Sequence, residues 1–233
     1  RWRLQQKERA AHAALLDAYT EFMAGRYLRA RKAAELVLSR EDALRDAAEH
    51  PLAHAVALRT VAHVVAAESA HALQDKALRD QHLLQAEEIA AQASGAEKQA
   101  LSEGLSLRAA RWRLEDRDAQ GSLDQLAQLP GAVARRTVAM RIQLKAARLA
   151  GQTARALDTA LLLAKHRAFS PLAAQSLVRS LVMELIARTH DERALDKLWQ
   201  GLPVAQRQQT EIAAQAATRW LELGGEPAQA RAW

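Results

Sequence analysis

Gly25-Arg-Tyr-Leu-Arg-Ala30, Gly151-Gln-Thr-Ala-Arg-Ala156 and Gly225-Glu-Pro-Ala-Gln-Ala230 are three strings of one pattern: glycine, four residues, alanine. Each follows an apolar stretch at helical spacing: Leu15 to Met23, Val138 to Leu149, and Ile212 to Leu223. The glycine suits a helix C-terminus, where the chain turns through the left-handed region. Tyr27, Thr153 and Pro227 share the next position and start a helix, a place that favours proline. The alanine lies one turn further in, where a paired helix has to come close. The pattern predicts helical hairpins.

Spacing extends the reading. Gly151 and Gly225 are 74 residues apart, about two periods of the roughly 34-residue tetratricopeptide hairpin. Midway, Thr189-His-Asp-Glu-Arg-Ala194 puts Thr189 in the glycine slot and Ala194 in the alanine slot. One period before Gly151, Arg117-Asp-Ala-Gln-Gly-Ser122 carries Ser122 in the small-residue slot. Gly25 to Arg117 is too long for two standard units, so an insert is expected at Ser39–Pro51 and a degenerate turn near Gln74–Gln81. Helices are expected over 4–24, 27–38, 52–73, 79–94, 96–114, 119–129, 132–149, 153–167, 171–188, 191–199, 204–223 and from 227 on. Pro51, Pro130, Pro171, Pro203 and Pro227 all fall at expected helix starts, where proline is tolerated. Ser170-Pro171 reads as an N-cap followed by a first-turn proline. The expected architecture is all-α: a right-handed superhelix, or α-solenoid, of tetratricopeptide-like hairpins. It is read as a single domain over 1–233, with residues 1–14 a basic membrane-proximal flank and an irregular spacer at about 39–51.

Composition agrees. The 233 residues are 49% hydrophobic but only 4% aromatic, and alanine and leucine dominate the apolar set. Strand-rich folds draw on β-branched and aromatic residues, whereas Ala, Leu, Arg, Gln and Glu favour helix. The lack of cysteine excludes disulfides, thiolate metal sites and thiol nucleophiles. No 18-residue apolar run is present to span a membrane, and no signal-peptide core occurs. There is no glycine-rich phosphate loop, no His-Glu-x-x-His string and no Gly-x-Ser-x-Gly elbow. Holding partners is therefore expected over catalysis.

The net charge of +6 is unevenly spread. Arg1, Arg3, Lys7, Arg9, Arg26, Arg29, Arg31 and Lys32 face only Glu8, Asp17 and Glu21 within the first 32 residues. Between Asp124 and Asp158 no acid occurs, while Arg135, Arg136, Arg141, Lys145, Arg148 and Arg155 do. Arg141, Lys145 and Arg148 are spaced to line one helix face. Scattered arginines ordinarily make a solvated face. The candidate partner-binding residues are nonetheless Arg135, Arg141, Lys145 and Arg148, offered to an acidic protein. Nucleic acid is not the expected partner, because these cations lack interleaved aromatics for base stacking.

Eight histidines invite a metal or haem reading. His50, His54, His63 and His71 cluster in sequence. His54 and His63 point to opposite sides of a straight helix, and His63 and His71 would stand about 12 Å apart on one face, too far to share an ion. No metal site and no cofactor is predicted. A porphyrin needs only one axial histidine, so haem binding stays open with no residue nominated. Trp112 and Trp220 are expected as core anchors and Trp199 as a wedge before Gly201-Leu202-Pro203. Trp2 and Trp233, at the ends, are expected against neighbouring segments. The apolar run in 171–188 leaves little polar surface beyond Arg179, Glu184 and Arg188, which predicts a helix covered on several sides.

Two stretches carry a resemblance. One is Arg1-Trp2-Arg3-Leu4, then Leu15-Leu16-Asp17-Ala18 and Phe22-Met23-Ala24-Gly25-Arg26-Tyr27-Leu28-Arg29-Ala30. The other is Ala194-Leu195-Asp196-Lys197-Leu198-Trp199-Gln200-Gly201-Leu202-Pro203, then Arg207, then Trp220-Leu221-Glu222-Leu223-Gly224-Gly225 and Ala228. The order, a Trp-x-x-Leu-Pro link, an arginine four beyond and a helix ending in Leu-Gly, resembles the HemY family of proteobacterial haem-biosynthesis proteins. The resemblance implies two transmembrane helices upstream of a tetratricopeptide region, which fits a chain that opens on arginine as a piece of a longer protein. It implies an inner-membrane scaffold for the enzymes of late protohaem synthesis, with a haem or porphyrin carrier as the alternative, and it transfers no catalytic residues. The long spacer after residue 38 departs from the family layout. The basic opening, Arg1 to Arg9, argues that the domain faces the cytoplasm.

Overall fold

The computed structural model describes residues 2–47 and 54–233, and among them the regular structure is entirely helical, fourteen helices and no strand. They are α1 (Trp2–Met23), α2 (Tyr27–Ala47), α3 (Ala55–Ala72), α4 (Lys76–Ala90), α5 (Gly95–Glu115), α6 (Ala119–Ala127), α7 (Gly131–Ala134), α8 (Thr137–Leu149), α9 (Thr153–Lys165), α10 (Pro171–Ala187), α11 (Glu192–Gly201), α12 (Val204–Arg207), α13 (Thr210–Glu222) and α14 (Pro227–Ala232). Consecutive helices pack on one another. Two compact units result, Arg1–Trp112 and Arg113–Trp233.

Four helix connections share one geometry. Gly25, Gln74, Arg117 and Gly151 have φ of 72°, 62°, 66° and 69°. In each case the next residue's N–H reaches back five residues: Arg26 to Glu21 O, Asp75 to Ala70 O, Asp118 to Arg113 O, and Gln152 to Ala147 O, all at 2.8–2.9 Å. This is the six-to-one bond of a helix terminated in the left-handed region. The following helix starts two residues later. Five residues after the turn, Ala30, Ser122 and Ala156 are fully buried, as the small-residue slot predicts. In the remaining hairpin that slot holds Arg79.

In the first unit α1 packs on α2, α2 on α3, and α3 on α4. Its seams are lined by alanine with a few larger residues: Ala11, Ala14, Val37, Leu58 and Ala62; then Ala18, Ala34, Val65 and Ala66; then Ala86, Ala90 and Leu105. Residues 2–14 belong to α1, in keeping with the helix expected over 4–24, and Ala11 and Ala14 are buried there. The helix expected to end at 38, ahead of an insert at Ser39–Pro51, is longer than that. Helix α2 continues through Ser39 to Ala47, because Arg40, Glu41, Ala43 and Leu44 are good helix formers. Pro51 and His50 lie outside the described residues.

The second unit contains one motif twice, offset by 73 residues. An Asp N-cap, Asp118 or Asp191, accepts from the N–H three residues on, at 2.9 and 2.7 Å, and opens α6 or α11. Leu129-Pro130 and Leu202-Pro203 then close those helices; the leucines are buried and each proline caps a one-turn helix, α7 or α12. After a two-residue break come α8 and α13, each 13 residues long. Gly151 and Gly224 follow with φ of 69° and 91°. The expected continuous helices over 132–149 and 204–223 are therefore each broken, at Arg135–Arg136 and Gln208–Gln209.

The exact match also corrects the slot assignment. Gly224, not Gly225, takes the left-handed turn, and Ala230 is half-buried rather than closely nested. Thr189 does not take a glycine-like turn, as its β-branch resists positive φ, and its carbonyl accepts from Arg219 Nη2 at 2.7 Å. Ala194 is exposed, and Leu195 is buried in its place.

One core runs through this unit, from Leu123, Met140 and Leu144 through Leu157, Leu163, Val178 and Leu181 to Leu195, Trp199 and Ile212. Trp233, half-buried, stacks on Trp199 at 4.9 Å and meets Trp220 edge-on at 5.1 Å. Trp112 is buried as expected, Trp199 is buried in the core, and Trp220 is partly buried.

Candidate functional site

Helix α8 has two faces of opposite chemistry. Ala139, Met140, Ile142, Leu144, Ala146 and Ala147 are buried against α6 and α9. Arg141, Lys145 and Arg148 are exposed together with Val138 and Leu149. The spacing read from sequence thus becomes one solvent-facing stripe of three cations flanked by two apolar side chains. Among the described residues none of the three cations makes an ion pair, whereas Arg179, Arg188 and Arg219 of the same unit pair with Glu211, Glu184 and Glu222 at 2.8–2.9 Å.

Arg141 is the most firmly placed of the three. Its Nη2 donates to Ala168 O at 2.8 Å, and its guanidinium lies 5.8 Å from the Phe169 ring centre. A guanidinium has five N–H donors, so one carbonyl bond fixes its direction and leaves others facing outward. Arg135 is not on this stripe. It sits in the break between α7 and α8, exposed, with Nε donating to Gly131 O at 3.1 Å.

The repeated motif supplies an internal comparison. The residues 73 positions after Arg141, Lys145 and Arg148 are Ala214, Thr218 and Leu221 on α13, and all three are exposed. The same helix in the same motif therefore forms without cations on that face. Folding does not require the basic stripe.

A second feature lies beside α10. Leu172, Gln175, Ser176 and Arg179 of α10, with Ala205 and Gln209, line an open recess of about 290 Å³. Leu172 is 78% exposed. The helix expected to be covered on several sides is thus amphipathic, burying Ala174, Val178, Leu181, Val182 and Ile186 and leaving the other face to solvent. The sequence signal was present in Gln175, Ser176, Arg179 and Ser180, which fall between the buried positions.

In the first unit the histidines pair across helices. His63 of α3 meets His82 of α4, with Nδ1 atoms 3.0 Å apart and both rings buried. A metal held in line between two imidazoles by bonds of ~2.0–2.1 Å would separate its nitrogens by about 4 Å, so this pair as it stands does not fit two axial ligands of a porphyrin iron. His71 serves elsewhere: its Nδ1 accepts from Arg79 Nη1 at 3.2 Å, while Arg79 lies 5.7 Å from the Trp112 ring centre and bonds Asp80 Oδ1 at 2.8 Å. His12, His54, His166 and His190 are exposed. Compared with known proteins, the chain matches no family model, no curated protein and no solved structure.

Proposed function

We propose that the chain is a scaffold of tetratricopeptide-like hairpins that holds an acidic protein segment against the exposed face of α8. The observation that carries this reading is the contrast between α8 and α13. Two copies of one motif keep their caps, breaks and glycine turns, yet only one carries Arg141, Lys145 and Arg148. An acid-free stretch of 33 residues around them leaves their field uncompensated locally. Val138 and Leu149 add apolar area at either end of the stripe, which suits a segment alternating carboxylates with apolar side chains.

The HemY-like strings extend the proposal. In that reading the scaffold is tethered to a bacterial inner membrane through a segment outside this chain and faces the cytoplasm. Its partners are enzymes of late protohaem synthesis, and it performs no chemistry itself. What supports this is the Trp199-x-x-Leu202-Pro203 link, Arg207 and the Leu223-Gly224 helix end, together with an all-helical chain whose consecutive helices pack on one another.

The test is binding of a short fluorescein-labelled Glu/Leu peptide, followed by anisotropy, to the chain and to the variant Arg141→Glu, Lys145→Glu, Arg148→Glu. The matched control is Ala214→Glu, Thr218→Glu, Leu221→Glu. Loss of at least about tenfold in affinity in the first variant alone, with binding that weakens as salt rises, is expected. Equal binding by all three proteins removes α8 as the docking face.

A further inference from the structure

The seam between α3 and α4 contains a pair of titratable groups that the proposed scaffold does not use. His63 and His82 are each 7% exposed. Their rings are 5.2 Å apart between centres, and their Nδ1 atoms are 3.0 Å apart. That is hydrogen-bond distance, and a neutral imidazole has one N–H, so one ring donates and the other accepts. His82 Nε2 is buried with no hydrogen-bond partner among the described residues. A bare ring nitrogen tolerates that position better than an orphaned N–H. The tautomers follow: His82 carries its proton on Nδ1 and donates to His63 Nδ1, and His63 carries its proton on Nε2.

A further proton has no good place. On His82 Nε2 it makes an imidazolium with a buried, unpartnered N–H. On His63 Nδ1 it confronts the N–H of His82; if His82 changes tautomer to accept, its own proton moves to the same buried Nε2. Two further protons set two N–H groups head to head. The charges that reach the pair come from two helices. From α2, Arg31 and Glu35 act on His82 and Asp42 acts on His63; from α3, Arg59 acts on His63. These charges are already paired with each other, Arg31 with Glu35 at 3.5 Å and Arg59 with Glu41 at 3.1 Å and Asp42 at 3.4 Å. Beyond the pair, Val64, Leu83, Ala86, Ala90, Leu101 and Leu105 form an apolar cluster, and the next charged group across the seam is Arg79 of α4, bonded to His71 of α3 at 3.2 Å.

We propose that His63 and His82 form an acid-release catch, closed while one proton is shared between the two Nδ1 atoms and opened by the arrival of another. Burial, the neighbouring ring and Arg59 lower His63 to about 4, against the pull of Asp42. Burial also lowers His82, with Arg31 adding to it and Glu35 opposing. In an opened hairpin both rings return to the ordinary imidazole range near 6.5. A base lowered in the closed state contributes stability that is complete above about pH 6.5 and is lost as pH falls from there toward about 4. The second unit lacks such a device: its histidines, His166 and His190, are exposed. The catch is independent of the α8 stripe and of any partner.

The experiment is amide hydrogen exchange on the full chain between about pH 7.5 and about pH 5, corrected for intrinsic rates. Exchange in α3 and α4 should rise on acidification by roughly thirtyfold from His63 alone, with α8 to α10 unchanged. The variants His63→Gln and His82→Leu should each flatten that response. Side-chain nitrogen NMR of the unsubstituted chain gives a readout that survives a failure of either variant to fold. The His63 ring should titrate well below 5 with its proton on Nε2, and the neutral His82 ring should show a protonated Nδ1. Both rings titrating near 6.5, or an equal acid response in the second unit, overturns the proposal.

Discussion

Gly151 and Gly224 are the same residue of one motif: each ends a 13-residue helix with φ in the left-handed region, 73 residues apart. An added Cβ would meet nothing closer than Arg188 Nη1 at 3.9 Å at Gly151 and Glu192 Oε1 at 3.6 Å at Gly224, whereas at Gly225, the residue after Gly224, it would lie 2.2 Å from Trp220 Nε1. Gly151→Ala should therefore cost about 1–2 kcal/mol, the backbone strain alone. Gly225→Ala should cost more by displacing the Trp220 indole, which donates to Glu226 O at 3.1 Å. Urea unfolding followed by tryptophan emission checks both, with a changed native spectrum expected only for Gly225→Ala.

The Trp199–Trp233 stack anchors the end of α14 to the core. Trp199 is 5% exposed, so Trp199→Ala should lose about 3–5 kcal/mol. Trp233→Ala, at a half-buried position, should lose about half of that and abolish the coupled indole bands in near-ultraviolet circular dichroism. An unchanged melting curve for Trp233→Ala would mean that the stack contributes nothing in solution.

Arg141 and Lys145 should separate binding from stability. Arg141→Ala removes the bond to Ala168 O and the contact with Phe169 and should destabilise the chain by about 1 kcal/mol. Lys145→Ala should leave the melting temperature unchanged. Both should weaken capture of the acidic peptide, so stability and affinity measured on the two variants should not rank together.

Arg79 occupies a slot that elsewhere takes alanine or serine. Its guanidinium is buried over Trp112, and its contact with Asp80 is at the surface. Arg79→Ala should cost about 2–4 kcal/mol, mainly through lost packing on Trp112. Ala30→Leu, in the equivalent slot of the first hairpin, should cost about 1–3 kcal/mol by overfilling the seam. Thermal unfolding of the two variants decides between a slot that tolerates any residue and one matched to its own neighbours.

The pH response has a defined sign. His63, held at about 4 against about 6.5 when free, gives about 3 kcal/mol of stability above pH 6.5 that is lost on acidification toward pH 4. Unfolding midpoints in urea should fall across that window, and His63→Gln should remove most of the dependence.

Local chemistry made much of the fold legible. Gly25 and Gly151 announce their turns because glycine alone enters positive φ without cost, and Pro130, Pro171, Pro203 and Pro227 mark helix starts. Gln74 and Arg117 turn through the same region without glycine, and there the repeat spacing, not the residue type, located the string at Arg117 and the degenerate turn near Gln74–Gln81. The repeat offset was missed by one residue because Gly224 and Gly225 are adjacent, and only the packing of Trp220 tells them apart. The α8 stripe was legible because it lies on one helix. The His63–His82 pair was not, because its members sit 19 residues apart on two helices and periodicity within one helix says nothing about what meets across a seam. Arg79 was hidden for the same reason.

The duplicated motif makes specificity portable. Since α13 offers Ala214, Thr218 and Leu221 where α8 offers its three cations, the proposed docking reading expects that exchanging those side chains between the copies moves acidic-peptide binding from α8 to α13 while caps, breaks and turns stay as they are. On that reading three surface substitutions are enough to gain or lose a partner, because the same motif forms with either set of side chains.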